Sequence, residues 1–371
     1  MNTRKNKNLF YLLCFFARLP FSLINLIKNI GLTKALLFFR FCITYYIFVF
    51  LKRKHKFPKV LLIAVTGKCN LTCKECFIHN KRHRESISTE KLQFLLDEAE
   101  ENKTKLVGLT GGEPFTNSDI VMLVRKHPSI YFFIFTNALL INESMANEMS
   151  ELKNIVLLIG IDGPSSSTAK RRGINVYENL ETKFNLLRKN KIPFGITVMT
   201  TSKNIQSVTD IRWLREIRMH GTSFVLFVQY TPSGRNIQND LILDTKNMEL
   251  LKKSEVNGIM KARMLPLSMH SIGSVCPFRS GKGLYISENG EFGTCPALPF
   301  SNETIDKKIV DVYKNSSYFK ELKRLQDKNT VCLFRSNINT ILNLVKKYDA
   351  CSSYHLDLYE SLENEYKRRS T

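Results

Sequence analysis

Six short apolar runs, each followed by a stretch of helical periodicity, constrain this chain more than any other feature. The runs cover 60–65, 106–110, 130–135, 155–161, 194–199 and 224–228, and they are rich in Val, Ile, Leu and Phe. Runs of that length without alternation read as strands buried on both faces. The clearest helical pattern follows Ser88, where Leu92, Leu95, Leu96 and Ala99 recur at i, i+3, i+4 and i+7. Others cover 119–126, 143–152, 177–190 and 205–220. Six strand–helix units in tandem predict an α/β chain with a parallel sheet and right-handed crossovers, a partial (β/α)6 TIM-like barrel. Such architectures carry their chemistry on the loops that leave the strands.

The distinctive residues fall on those loops. After the first run comes Gly67-Lys68-Cys69-Asn70-Leu71-Thr72-Cys73-Lys74-Glu75-Cys76-Phe77, with three cysteines spaced C-x3-C-x2-C. Three thiolates on one loop can hold a metal centre and leave one coordination position open, which suits a four-iron cluster. A zinc site with His79 as fourth ligand is the alternative, and three unrelated buried thiols a weaker one. Gly111-Gly112-Glu113-Pro114 follows the second run, Thr136-Asn137 ends the third and Asp162-Gly163 the fourth. Thr197 and Met199 end the fifth run, and Gln229-Tyr230 the sixth. A Gly-Gly pair or an Asp-Gly after a strand is usually only a turn. Taken together, these residues point to one rim.

The motif set resembles the radical S-adenosylmethionine (radical SAM) enzymes, over roughly residues 57–360. Phe77 after the last cysteine, in place of an aromatic before it, is similar to the subgroup with a C-terminal SPASM or twitch domain. The resemblance implies that Cys69, Cys73 and Cys76 hold a 4Fe-4S cluster whose fourth iron is chelated by SAM. Gly111, Gly112, Glu113 and Pro114 resemble the G-G-E-P segment that receives the ammonium of SAM. Thr136 and Asn137 resemble the T-N-G segment, with Ala138 in place of its glycine. Asp162-Gly163 resembles S-x-D-G, with Gly160 where serine is commoner. Arg171-Arg172-Gly173 resembles an arginine-bearing segment, which implies that one of the two arginines, Arg172 as the candidate, pairs with the SAM carboxylate; a solvated basic turn is the alternative. Asn204 and Gln229 are weaker matches for ribose or adenine contacts. The implied chemistry is reductive cleavage of SAM to a 5′-deoxyadenosyl radical, which takes hydrogen from a lipid, a metabolite or a peptide. A peptide- or protein-modifying SPASM maturase is one alternative and a non-catalytic metal-binding scaffold another. An electron donor such as flavodoxin or ferredoxin is the implied partner.

After Tyr230 the strand–helix pattern stops. Glu288-Asn289-Gly290-Glu291 between 284–287 and 292–295 predicts a β-hairpin. Cys276 and Cys295 are expected to meet at one end of it, while Cys332 and Cys351 follow a helical stretch at 312–325. The SPASM resemblance implies at most one auxiliary iron–sulfur cluster here. Cys276 and Cys295 are its better ligands, Cys332 is next and Cys351 is undecided; a degenerate domain without metal is the alternative.

The first 56 residues contain no Asp or Glu; the first acidic residue of the chain is Glu75. Two apolar stretches, 9–27 and 35–51, each contain an arginine and are flanked by basic residues. They are short for spanning, which takes about 20 apolar residues, and fit helices lying in a membrane interface. Packing on the enzyme body is the alternative. A cleaved signal is not expected, because Lys-Arg-Lys-His-Lys follows the second stretch. Cys14 and Cys42 read as packing residues. The net charge is +22, but no dense basic tract with interleaved aromatics points to nucleic acid. The nine cysteines are clustered as for metal in a reducing compartment. The expected organisation is therefore a basic apolar segment at 1–56, a core at 57–235 and a SPASM/twitch-like region at 236–371. The expected place is the cytoplasm, with 1–56 as the candidate membrane attachment.

Overall fold

The computed structural model describes residues 27–28, 31–32, 34–36, 57–76, 78, 84–173, 176–222, 224–232, 238–262, 264–268, 278, 282–328, 337–351 and 356–370. The elements in the first half are β1 (Val60–Thr66), α1 (Thr89–Glu101), β2 (Leu106–Gly111), α2 (Ile120–Lys126), β3 (Tyr131–Thr136), α3 (Glu143–Ser150), β4 (Ile155–Gly160), α4 (Ser165–Arg172) and α5 (Val176–Lys189). Then come β5 (Phe194–Thr200), α6 (Ile205–Thr209), α7 (Ile211–Met219), β6 (Phe224–Gln229), α8 (Thr245–Asn257), β7 (Leu265–Ser268), β8 (Gly283–Ile286) and β9 (Phe292–Gly293). The last helices are α9 (Ile309–Asn315), α10 (Ser317–Lys328), α11 (Ile338–Lys347) and α12 (Leu356–Ser370). The chain divides into two compact units, one of 1–46, 136–230 and 239–275, the other of 47–135, 231–238 and 276–371.

In the second of these units, β1 pairs in parallel with β2, and β2 with β3. The opposite edge of β1 carries β8, also parallel, and β8 turns back antiparallel into β9. The expected hairpin is therefore present, and its first strand extends the parallel sheet. Leu61, Ile63, Ala64 and Val65 are fully buried, as expected for a strand covered on both faces. Helix α1 starts where Ser88 accepts the Lys91 amide, and it buries Leu92, Leu95, Leu96 and Ala99. Glu98 lies on the same buried face. Its carboxylate accepts the Ile309 and Val310 amides, each at 2.8 Å, and so satisfies two donors in the first turn of α9.

In the other unit, β4, β5, β6 and β7 pair in parallel, in that order. All six expected strands are present, and β7 and β8 add two parallel strands beyond them. The single helix expected over 205–220 is two helices. Asp210 is extended (φ −65°, ψ 127°) and caps the second by accepting the Arg212 amide. A carboxylate that caps an amide competes with continuation of the preceding helix. Among the described residues, no helix is long and apolar enough to cross a membrane.

Candidate active site

The cysteine loop is set by main-chain contacts. At the end of β1, the Gly67 amide donates to Glu85 O at 2.7 Å. The Thr66 and Ser86 hydroxyls lie 2.7 Å apart, and the Lys68 amide donates to Thr66 Oγ1 at 3.0 Å. The loop is then tied to the end of β2. Gly112 N donates to Thr66 O at 2.7 Å, and Glu113 N donates to Lys68 O at 2.8 Å. This approach is open only to glycine. A Cβ on Gly111 would stand 2.2 Å from Thr66 O, and one on Gly112 would stand 2.0 Å from Lys68 O. Gly111 also has φ +127°. The two glycines thus have a physical reason at these positions, the close passage of one backbone over another.

Cys69, Cys73 and Cys76 are all partly exposed. Glu75 has φ +54°, a left-handed turn between the last two cysteines that a non-glycine residue adopts at a cost. Cys69 Sγ accepts the Leu71 amide at 3.4 Å. Burial pushes the Cys69 thiol up, the Leu71 amide opposes this, and the negative charges of Glu113, Cys73 and Cys76 push it further up. Glu113 is buried at 1 % exposure, and its Oε1 accepts the Phe115 amide at 3.2 Å. One small region therefore holds three thiols and a buried carboxylate, and the others disfavour the ionised form of Cys69. A bound cation relieves such repulsion, and metal binding deprotonates the thiols. The donor set suits an iron–sulfur cluster, and the amide directed at Cys69 Sγ is the kind of hydrogen bond that tunes one. Among the described residues, no three His, Cys, Asp or Glu side chains are gathered around a single ion's position. A four-iron cube places its ligands on separate corners, so it does not require that. His79 lies outside the described residues.

The other unit carries the remaining expected residues. Thr136 Oγ1 accepts the Ala138 amide at 2.9 Å, and Asn137 Oδ1 accepts the Leu139 amide at 3.0 Å. Ala138 is buried with φ +64°, so the backbone keeps the conformation that glycine would adopt most easily.

Past β4, Asp162 is 1 % exposed and organises its surroundings. Its Oδ2 accepts from Arg171 Nη1 at 2.8 Å and from Arg172 Nε at 2.7 Å. Its Oδ1 accepts the Met199 amide at 3.3 Å. Burial alone would push this carboxyl up, but the charges of Arg172 and Arg171 overcome that and hold it below the usual range. Asn204 Nδ2 donates to Asp162 O at 3.2 Å and to Met199 O at 2.9 Å, closing the network onto β5. The sequence signal for Gly160 now has a cause. A Cβ there would lie 2.6 Å from Arg172 Nη2 and 2.8 Å from Nη1, so the guanidinium occupies the space of a side chain. Asp162 as anchor of both arginines was missed in the sequence; an Asp nine and ten residues before an Arg-Arg pair on a strand–helix return was the available signal.

In the C-terminal region, Cys276 and Cys332 lie outside the described residues, as do Cys14 and Cys42. Cys295 follows β9 and accepts the Leu298 amide on its carbonyl at 3.0 Å. Cys351 follows the turn after α11. Both thiols act on one side chain: the Tyr318 hydroxyl is pushed up by burial and then by Cys295 and Cys351. The Tyr348 ring packs edge-on at 6.2 Å from that of Tyr318, which places the segment of Cys351 beside it. Cys351 is itself pushed up to about 11 by burial, Asp349, Glu291 and Glu360. Tyr285 on β8 is pushed up by burial, Glu288, Cys295 and Glu291. The buried hydroxyls of Tyr285 and Tyr318 have no hydrogen-bond partner among the described residues. Buried polar atoms are normally satisfied, so this thiol-bearing region suits an additional polar occupant. Cys295 and Cys351 both lie within electrostatic reach of the Tyr318 hydroxyl.

A model of the radical SAM superfamily matches residues 63–214, which contain all of the cysteine loop, the Gly-Gly-Glu-Pro turn and the Asp162 network. The chain carries a radical SAM domain. The cofactors that go with the domain are a 4Fe-4S cluster and SAM. The chain is 24% identical over 311 residues to an AdoMet-dependent heme synthase of Oleidesulfovibrio alaskensis, covering 74% of this chain and 80% of that one. It is 30% identical over 184 residues to a cysteine-type anaerobic sulfatase-maturating enzyme of Clostridium perfringens, covering 43% and 49%. The solved structure of Streptococcus suis SuiB bound to S-adenosylmethionine has the same fold, with TM-score 0.60, 17% identity and coverage of 72% of this chain and 68% of that one.

Proposed function

We propose that this enzyme cleaves SAM reductively and takes hydrogen from a peptide or protein substrate, as a maturase. The observation that carries the SAM chemistry is the stitching of the cysteine loop to Gly112 and Glu113 through Thr66 O and Lys68 O. Cys69, Cys73 and Cys76 are the cluster ligands in this reading. The bound cluster and SAM together supply a 5′-deoxyadenosyl radical; the protein supplies binding, orientation and exclusion of water. Glu113 takes the SAM ammonium on a carboxylate held by its own turn, in a buried setting where the charge pair is strong. Gly111, Gly112 and Pro114 present the backbone of that turn. Thr136, Asn137 and Arg172 are further cofactor contacts in this reading, and Asp162 serves the cofactor site by orienting the arginine it accepts from.

The peptide substrate is supported by the relative named as a sulfatase-maturating enzyme and by the SuiB structure solved with its precursor peptide SuiA. The relatives named heme synthase keep a small metabolite as the second reading. Cys276, Cys295 and Cys332 are the auxiliary-cluster ligands in this reading, in a SPASM/twitch-like region, and Cys351 is a further candidate beside them. A flavodoxin or ferredoxin supplies the electron in the cytoplasm. The test is anaerobic: the reconstituted, reduced enzyme with SAM is expected to release 5′-deoxyadenosine, and Cys69→Ala none. Equal product from Cys69→Ala would overturn the proposal.

A further inference from the structure

Part of the N-terminal segment is placed with definite contacts, all within one unit. The Gly31 amide donates to Ile27 O at 2.8 Å, the Ala35 amide donates to Gly31 O at 3.1 Å, and Gly31 has φ +81°. One helical turn thus closes at Gly31 and the next opens from it. Lys34 pins this corner: its Nζ donates to Ser150 O at 2.7 Å and to Lys191 O at 3.0 Å. Ala35 is fully buried, whereas Leu32 and Leu36, four residues apart, are 57% and 49% exposed. Ser150 closes α3 just before β4, and Lys191 lies just before β5. The pinned corner therefore sits at the strand-start edge of β4 and β5.

The same edge continues before β6. Met219 is 73% exposed, and its carbonyl accepts from Arg188 Nη1 at 3.4 Å. Arg188 in turn closes the turn to Lys191 through its own carbonyl. Lys28, Lys153, Arg188, Lys189 and Lys191 are exposed along this edge. Lys189 is paired with Glu143 at 3.3 Å, and Glu148 on α3 and Glu151 at its C-terminal cap are nearby acidic side chains. Single exposed apolar residues are ordinary. Here three share an edge with cations and with a corner of an acid-free, apolar N-terminal segment.

We propose that this strand-start edge is a contact surface for an anionic lipid bilayer. Leu32, Leu36 and Met219 enter the headgroup boundary, while Lys28, Lys153 and Lys191 meet lipid phosphates. A few apolar side chains ringed by cations fit the bilayer interface; a protein partner would ask for a broader apolar centre. The proposal gives the substrate reading a direction, and in that respect rests on it. Strands of six or seven residues put the Asp162 end of this unit about 20 Å from that edge. With the edge on lipid, that end faces water, and the substrate arrives from the aqueous side.

The test is sedimentation of the full-length enzyme with vesicles of phosphatidylglycerol and phosphatidylcholine, against vesicles of phosphatidylcholine alone. Binding is expected only to the anionic vesicles and is expected to fall with salt. The Met219→Glu/Lys191→Glu variant is expected to bind about tenfold or more weakly, with unchanged melting temperature and unchanged release of 5′-deoxyadenosine. Phe94→Glu, an exposed residue of the other unit, is expected to bind as the parent does. Equal binding of the double variant and parent would overturn the proposal, because affinity would then reside wholly elsewhere; so would absence of binding, or binding insensitive to lipid charge. Loss of 5′-deoxyadenosine in the parent would sink the catalytic reading and leave the vesicle result standing.

Discussion

Gly112→Ala isolates the main-chain stitch between β2 and the cysteine loop. The added carbon would stand 2.0 Å from Lys68 O, whereas a carbon–oxygen contact needs about 3.3 Å. The two backbones must therefore part by roughly 1 Å. That motion breaks or stretches two hydrogen bonds, Gly112 N to Thr66 O at 2.7 Å and Glu113 N to Lys68 O at 2.8 Å. Each is worth about 0.5–1.5 kcal/mol net, and overpacking adds about 1–3 kcal/mol, so a loss of about 2–6 kcal/mol is expected. A misplacement of about 1 Å between Glu113 and the cysteines is expected to lower 5′-deoxyadenosine formation about a hundredfold. Anaerobic denaturant melts, iron content and product quantification read the three effects. Gly173→Ala is the matched control. Its φ is +111° but, among the described residues, no atom lies within 4 Å of a new Cβ, so it is expected to cost about 1–2 kcal/mol of backbone strain and leave iron content unchanged. A Gly112→Ala enzyme within about 0.5 kcal/mol of the parent, turning over SAM at the parent's rate, would refute the reasoning.

Asp162→Ala strands two arginines in a buried setting and is expected to cost about 3–5 kcal/mol, read by urea melts. Because the Asp162 carboxyl is held below the ordinary range, its contribution is complete above about pH 4 and is lost only as pH falls through the depressed value. The parent–variant gap should therefore be flat from pH 5 upward and narrow below pH 4; a gap that widens on acidification would contradict the pairing. Tyr318→Phe removes a buried hydroxyl that has no partner among the described residues. The cluster-free protein should lose no stability, while the loaded protein should show a changed auxiliary-cluster spectrum. A loss of more than about 1 kcal/mol in the cluster-free protein would mean that the hydroxyl is already satisfied.

Much of the fold was legible because the six strands are continuous apolar runs, and burial on both faces needs no partner to be named. What local pattern cannot state is which strand lies alongside. The 284–287 run was readable as one arm of a hairpin, and it is, but its other edge pairs with β1. β7 follows a polar helix and is short, so it carries little signal of its own. At 205–220 periodicity continued across Asp210, and the capping carboxylate divided it. The cysteine loop and the Gly-Gly-Glu-Pro turn were readable because the residue types are forced by chemistry and by close backbone passage. Asp162 was readable as important, while its role as an arginine anchor depends on the return of α4. Cys351 stood alone in the sequence, and the reversal after α11 supplies its neighbours.

The pin at Lys34 has a consequence for the order in which the chain is made. Its second acceptor, Lys191 O, lies 157 residues downstream. At about 5–20 residues per second of synthesis, the docking site is incomplete for roughly ten to thirty seconds after Lys34 is made. Throughout that interval the N-terminal segment, apolar and without a single carboxylate, has no place on its own enzyme. On the proposed lipid contact, attachment through this segment therefore precedes completion of the Lys34 docking site.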